Sequence, residues 1–291
     1  MVEWLVLCLR GSRILFFIHD HFKLRKTLSS LHRHRLLCPR VKVYYLFDYL
    51  SVSLTTRKKL KIINCHYAFL QRTFPFHIIK KIYGDGLTFW SETREGNSYE
   101  ISLKTPSPFE REGPLLLDFT MNGTALYCMG FSFAPGKCFG VRERIILFIS
   151  RIQGYAGRLK EISVCTKAFG ENKPSTLLLS IVEGMALGLG VESLIGISTN
   201  NQLACLTADY ARNYDRFWES FESTKISSGD YYLELPLKNK DLFLIPSKHR
   251  RRTLKKRATR REIALKVYAH FSKMNLLKNE VQAFPLECPE S

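Results

Sequence analysis

The stretch Arg151-Ile152-Gln153-Gly154-Tyr155-Ala156 has the residue types and spacing that come nearest to a chemical site in this 291-residue chain. It follows an apolar run at 145–150 and precedes a helical pattern, so its backbone N–H groups lie where a helix begins and can meet an anion. Gly154 and Ala156 are small enough to let a bound group approach the main chain. A second constellation is cationic. Lys248, Arg250, Arg251, Arg252, Lys255, Lys256, Arg257, Arg260 and Arg261 fall within fourteen positions, uninterrupted by Asp or Glu. On a helix these nine side chains encircle the axis, so some must face an external anion or an acidic patch elsewhere on the protein. A solvated helix with some attraction for phosphate or lipid fits this pattern. Nucleic acid binding calls for interleaved aromatics or a reading motif, and the run has neither.

Other reactive residue types are explained by burial. His66 sits in a helical stripe with Leu60, Ile63, Tyr67 and Leu70, where a hydrogen-bonded core histidine is the plainer reading than a ligand. Tyr210, Tyr214, Phe217, Trp218 and Phe221 share one face of a helix predicted over 208–221, and that face reads as core. The eight cysteines, at 8, 38, 65, 128, 138, 165, 205 and 288, form no close pairs. They are expected as reduced, buried thiols, with neither a disulfide framework nor a metal site.

These residues need elements to position them. With 45% apolar content the chain can build one large core or two modest ones. The pattern predicts helices at the basic 22–37 segment, packed on the body or lying on a membrane surface, and after Thr55 or Thr56. Gly84-Asp85-Gly86 then gives way to period-two alternation, and Asn122-Gly123 between apolar runs predicts a hairpin within an antiparallel meander of about four strands. Beyond Gly154 come a helix, a second helix opened by Pro174, a strand at 191–198 and the aromatic helix. Strands at 231–237 and 242–245 and a long terminal helix capped by Ser247 close the chain. The fold class is α/β (α+β): a mixed sheet with an antiparallel meander, flanked by helices, plus a basic helical N-terminal segment and a C-terminal helix. The expected division is a basic segment at 1–54, an α/β domain at 55–277 and a tail at 278–291.

The net charge of +18 is uneven. Residues 1–84 carry 16 Lys/Arg against 3 Asp/Glu, and residues 248–261 carry 9 against none, which leaves a mildly acidic middle. Two basic flanks imply partners with negative surfaces: an acidic protein, an anionic membrane or nucleic acid. Arg10 and Arg13 split the N-terminal apolar runs, and no uninterrupted run approaches the ~20 residues of a membrane span. The expected location is the cytoplasm, with peripheral contact at the inner membrane left open.

The hexapeptide fits the pattern Arg/Gln, two residues, Gly, one residue, Gly/Ala, and with the order of elements around it the chain resembles the GNAT acyltransferases. The resemblance implies that this segment binds the pyrophosphate of acyl-coenzyme A through Arg151, Gln153, Gly154 and Ala156. It also implies that Tyr210 or Tyr214, on the aromatic helix, protonates the departing thiolate. A Gly154→Val change is then expected to abolish cofactor binding and leave the fold intact. Pro174 makes two helices where those enzymes use one.

A second resemblance covers residues 55–270. His66-Tyr67 with Phe69-Leu70, Leu126-Tyr127 with Phe131-Ser132-Phe133, Ile152-Gln153-Gly154, Ile195-Gly196-Ile197-Ser198, Tyr214-Asp215-Arg216-Phe217-Trp218 and Pro246-Ser247-Lys248 occur in an order that resembles the VirK/YbjX family of enterobacterial proteins. This resemblance implies a virulence-associated protein that serves the presentation of outer-membrane virulence proteins and resistance to host antimicrobial peptides. It carries over no catalytic residue, and Thr199-Asn200-Asn201 stands where relatives tend to show a His. The expected function is an accessory protein for envelope virulence proteins, a role that needs no catalytic residue; the alternatives are an acyltransferase using acyl-coenzyme A and a nucleic-acid-binding regulator.

Overall fold

The computed structural model describes residues 17–33, 36–107, 110–206, 214–239 and 241–283. Helix α1 (Ile18–Arg33) buries Leu24, Leu28 and Leu31 and leaves Lys23, Arg25 and Lys26 in solvent, so the basic segment is a solvated face packed on the body. It lies along α2 (Thr56–Thr73), where Asn64 donates to the Asp20 carbonyl at 3.1 Å and Gln71 to the Thr27 carbonyl at 2.6 Å. Thr55 caps α2 by accepting from the Lys58 amide. Helix α3 (Phe76–Tyr83) leads to the sheet.

Among the described residues eight strands form one sheet. Strands β1 (Leu87–Arg94), β2 (Asn97–Lys104), β3 (Leu115–Met121), β4 (Thr124–Ala134) and β5 (Ile146–Gly154) pair antiparallel in sequence order. Asn122 and Gly123 have φ of 51° and 73°, the backbone a type I′ turn requires, and the Asn122 side chain accepts from the Ser98 amide. β6 (Ser193–Gly196) is parallel to β5, whereas β8 (Tyr231–Glu234) and β7 (Thr224–Lys225) return antiparallel. Helices α4 (Leu159–Ala168) and α5 (Pro174–Gly188) make the crossover from β5 to β6. Helix α6 (Tyr214–Glu219) precedes β7, and α7 (Ser247–Ala283) ends the described chain.

One apolar core joins these elements, with α1, α2, the sheet, α5 and α7 all contributing. Backbones of α5 and α7 touch because Gly184 and Gly188 lack side chains: a Cβ on Gly184 would stand 2.2 Å from the Ala264 carbonyl oxygen. Ile263, Val267 and Phe271 of α7 are buried at four-residue spacing, while Leu265 and Tyr268 face outward. Cys128, Cys138 and Cys165 are buried free thiols, and Cys38 and Cys65 are half-buried ones. No described helix is long and apolar enough to cross a membrane.

Several boundaries differ from the sequence reading, among them the strand expected at 231–237, which ends at Glu234. The strand expected to stop at Ser150 continues to Gly154, because β4 is long enough to pair with it: Arg151 faces Gly130, Ile152 faces Met129 and Gly154 faces Tyr127. The strand at 191–198 shortens to Ser193–Gly196. The apolar run at 242–245 is no strand. It forms the 3-10 turn Leu242–Leu244 in the connection from β8 to α7.

Candidate functional site between parted strands

Strands β5 and β6 pair only from Leu147–Leu194 to Ile149–Gly196, with one further bond from the Ile197 amide to the Ile149 carbonyl at 2.9 Å. At Ser150 the register of β5 slips by one residue against β4, a bulge that bends the strand. β5 then follows β4 while the chain beyond β6 turns into the 3-10 segment Thr199–Asn201. The carboxyl ends of two parallel strands thus part, which is where open α/β sheets receive ligands. The Ile152 amide, buried on this parted side, donates to the Tyr214 hydroxyl at 2.9 Å.

Tyr214 is held there by the start of α6. Thr199 Oγ1 accepts from the Tyr214 and Asp215 amides at 3.0 and 3.3 Å, while Asp215 accepts from the Thr199 amide at 2.9 Å. This reciprocal cap locks the two segments together. Thr199 therefore has a structural task. Asp230, fully buried, accepts from the Ser198 amide, from Asn201 and from Ser228, and so fixes the turn that follows β6. Trp218 donates to the Ile197 carbonyl at 2.8 Å, and its ring lies flat against Gly196, where a Cβ would stand 2.2 Å away.

Of the hexapeptide, Arg151 pairs with Glu110 at 3.0 Å and Glu112 at 3.5 Å and donates to Gln153 at 3.2 Å. Both side chains are thus engaged with the protein itself. Gly154 faces the Tyr127 ring, 3.0 Å from where a Cβ would be, so a Val side chain at 154 requires that ring to shift. Ala156 is exposed in the turn after β5. The Tyr155 hydroxyl donates to Asp118, and burial together with Cys128 and Asp118 pushes its acidity far down.

Beside Gly154 and Tyr155 lies an open cleft of about 490 Å³ between α4 and the first residues of α5. Lys167, Glu171 and Lys173 are among its lining residues. Glu171 pairs with Arg252 of α7 at 2.7 Å, and Asn172 donates to the Lys256 carbonyl at 3.2 Å. Burial, then repulsion by Arg252, lowers the pKa of Lys256, with Lys173 adding to it. The hexapeptide and the basic helix, two separate constellations in sequence, are therefore linked through Glu171, which lines the cleft beside Gly154 and pairs with Arg252. Lys167 and Lys173 were not singled out for this. Pro174, which sets Lys173 just before α5, was the available sign.

The remaining cations of α7 divide. Arg250 donates to the Ile245 carbonyl and Arg260 to Asn239, while Arg257 is half-buried. Lys248, Arg251, Lys255 and Arg261 are exposed and make no ion pair among the described residues. Tyr210 lies outside the described residues. His66 is fully buried, accepts from the Phe133 amide at 3.2 Å and stacks on the Phe133 ring, as a core histidine does. Among the described residues no group of three His, Cys, Asp or Glu could hold a metal ion.

A family described as "Protein of unknown function (DUF535)" matches residues 3–264. No curated protein matches the chain. No solved structure matches it.

Proposed function

The chain belongs to the DUF535 family, and from that starting point we propose that it is a GNAT-like acyltransferase that binds acyl-coenzyme A between β5 and β6 and acylates an envelope component. The observation that carries this reading is the Tyr214 hydroxyl in the gap between the parted strands, 2.9 Å from the Ile152 amide. The strand order supports it: an antiparallel meander, one parallel pair joined by helices, a short aromatic helix and closing strands. Lys167 and Lys173 offer the charge that coenzyme A phosphates need, beside the turn that ends β5. Acyl-coenzyme A would supply an activated thioester when bound, and free coenzyme A would leave as the thiolate. Tyr214 is the group with a proton to give to the departing thiolate, and the cap between Thr199 and Asp215 holds it in the gap.

The acceptor's setting comes from the VirK/YbjX resemblance: a bacterial virulence factor acting from the cytoplasm, peripheral at the inner membrane, on the envelope that presents virulence proteins and resists antimicrobial peptides. A second reading, an accessory protein without catalysis that holds an acidic protein or an anionic surface, is favoured by the four exposed cations without ion pairs on α7. A nucleic-acid-binding regulator has less in its favour, since aromatics are not interleaved with these cations. A thermal-shift titration with coenzyme A and acetyl-coenzyme A separates the readings. The acyltransferase reading expects stabilisation that is lost in Lys167→Gln/Lys173→Gln. Stabilisation by neither ligand at millimolar concentration leaves the accessory role.

A further inference from the structure

Phe243 and Leu244 stand 88% and 76% exposed on the 3-10 turn Leu242–Leu244, although most large apolar side chains of the chain enter one core. Adjacent large apolar groups left in water mark a contact surface more often than isolated ones do. Arg250 ties this turn to the first turn of α7. Its Nε donates to the Ile245 carbonyl at 2.9 Å, and its guanidinium lies 5.9 Å from the centroid of the Phe243 ring. Lys248 and Arg251 are exposed beside it, and the exposed Leu254 and Lys255 follow one helical turn on. Lys248, Arg251 and Lys255 make no ion pair among the described residues. Asp241 is the acidic residue of the turn, and the first carboxylate within α7, Glu262, is held by Lys266 at 2.7 Å.

We infer that the Leu242–Leu244 turn and the first turns of α7 form a docking surface for an anionic phospholipid membrane. The apolar tips enter the boundary between headgroups and acyl chains, and the cations meet the lipid phosphates. Charge complementarity alone fits any polyanion. Leu244 and Leu254 decide among them, because a bilayer supplies both negative charge and an apolar phase, whereas a nucleic acid gives aliphatic side chains nothing to enter. This surface stands apart from the acyl-transfer reading, since neither Phe243 nor Leu244 lines the cleft at Gly154.

The test is flotation of the full chain with phosphatidylcholine vesicles containing phosphatidylglycerol, against vesicles of phosphatidylcholine alone. The expected result is binding to the anionic vesicles only, weakening as salt rises. Phe243→Ser/Leu244→Ser should lower the partition about tenfold with the melting temperature and coenzyme A affinity unchanged, because both side chains are already in water. Lys248→Gln/Arg251→Gln/Lys255→Gln should lower it at least as much. Failure of the wild type to float, equal flotation of the Phe243→Ser/Leu244→Ser variant, or retention on duplex DNA in place of vesicles overturns the inference.

Discussion

The Tyr214 hydroxyl accepts a hydrogen bond from the Ile152 amide at 2.9 Å, bridging the aromatic helix to the strand that β6 has just left. Tyr214→Phe removes the acceptor and strands a buried N–H. It should cost about 1–3 kcal/mol in denaturant unfolding. If Tyr214 is the proton donor, the same change slows thioester consumption by about 10²-fold or more while coenzyme A still binds. Equal loss of binding and turnover would mean that the hydroxyl only shapes the gap.

Gly196 has no room for a side chain beneath Trp218, a ring fixed by its own bond to the Ile197 carbonyl. Gly196→Ala should destabilise the protein by roughly 1–3 kcal/mol, lowering the denaturant midpoint with little change in its slope. A neutral result would show that α6 swings freely away from β6.

His66 gives a pH prediction. Burial lowers its pKa from 6.5 to about 3, while its Nδ1 is occupied by the Phe133 amide. Between these values the unfolded chain binds a proton that the folded one refuses. The contribution of His66 to stability is therefore full above pH 6.5 and is lost as pH falls toward about 3. His66→Gln, which keeps an acceptor, should flatten the stability profile in that window by up to about 1.4 kcal/mol per pH unit. Parallel profiles for the two proteins would contradict the assignment.

Gly154 and the lysines should respond differently. Gly154→Val drives a branched side chain into the Tyr127 ring and Ile162, so it should lower stability by roughly 1–3 kcal/mol with or without ligand. Lys167→Gln/Lys173→Gln should leave unfolding nearly unchanged, because the cleft they line is open. Circular-dichroism melts of the two variants test this contrast.

What the sequence made legible was local. Asn122-Gly123 specifies its own turn, Thr55 its own cap and Pro174 its own helix start, each by a few dihedrals or one hydrogen bond. The length of β5 was not legible, since residues 151–154 are strand only because β4 offers them partners, and the Ser150 bulge has no sequence mark. The run at 242–245 has the composition of a strand. It remained a turn on the surface because the sheet gives it no neighbour. Tyr214 was named as a candidate, but its reach to Ile152 depends on the cap made by Thr199, fifteen residues away. The cleft is lined by residues of α4 and of the start of α5 beside Gly154, Glu171 ties it to Arg252 of α7, and only the folded chain brings these together.

The measurement that bears most directly on the proposed function is calorimetric titration of the purified protein with coenzyme A. The account predicts one-to-one binding that weakens about tenfold or more in Lys167→Gln/Lys173→Gln and persists in Tyr214→Phe. Absence of binding at millimolar coenzyme A, or binding untouched by loss of both lysines, would contradict it.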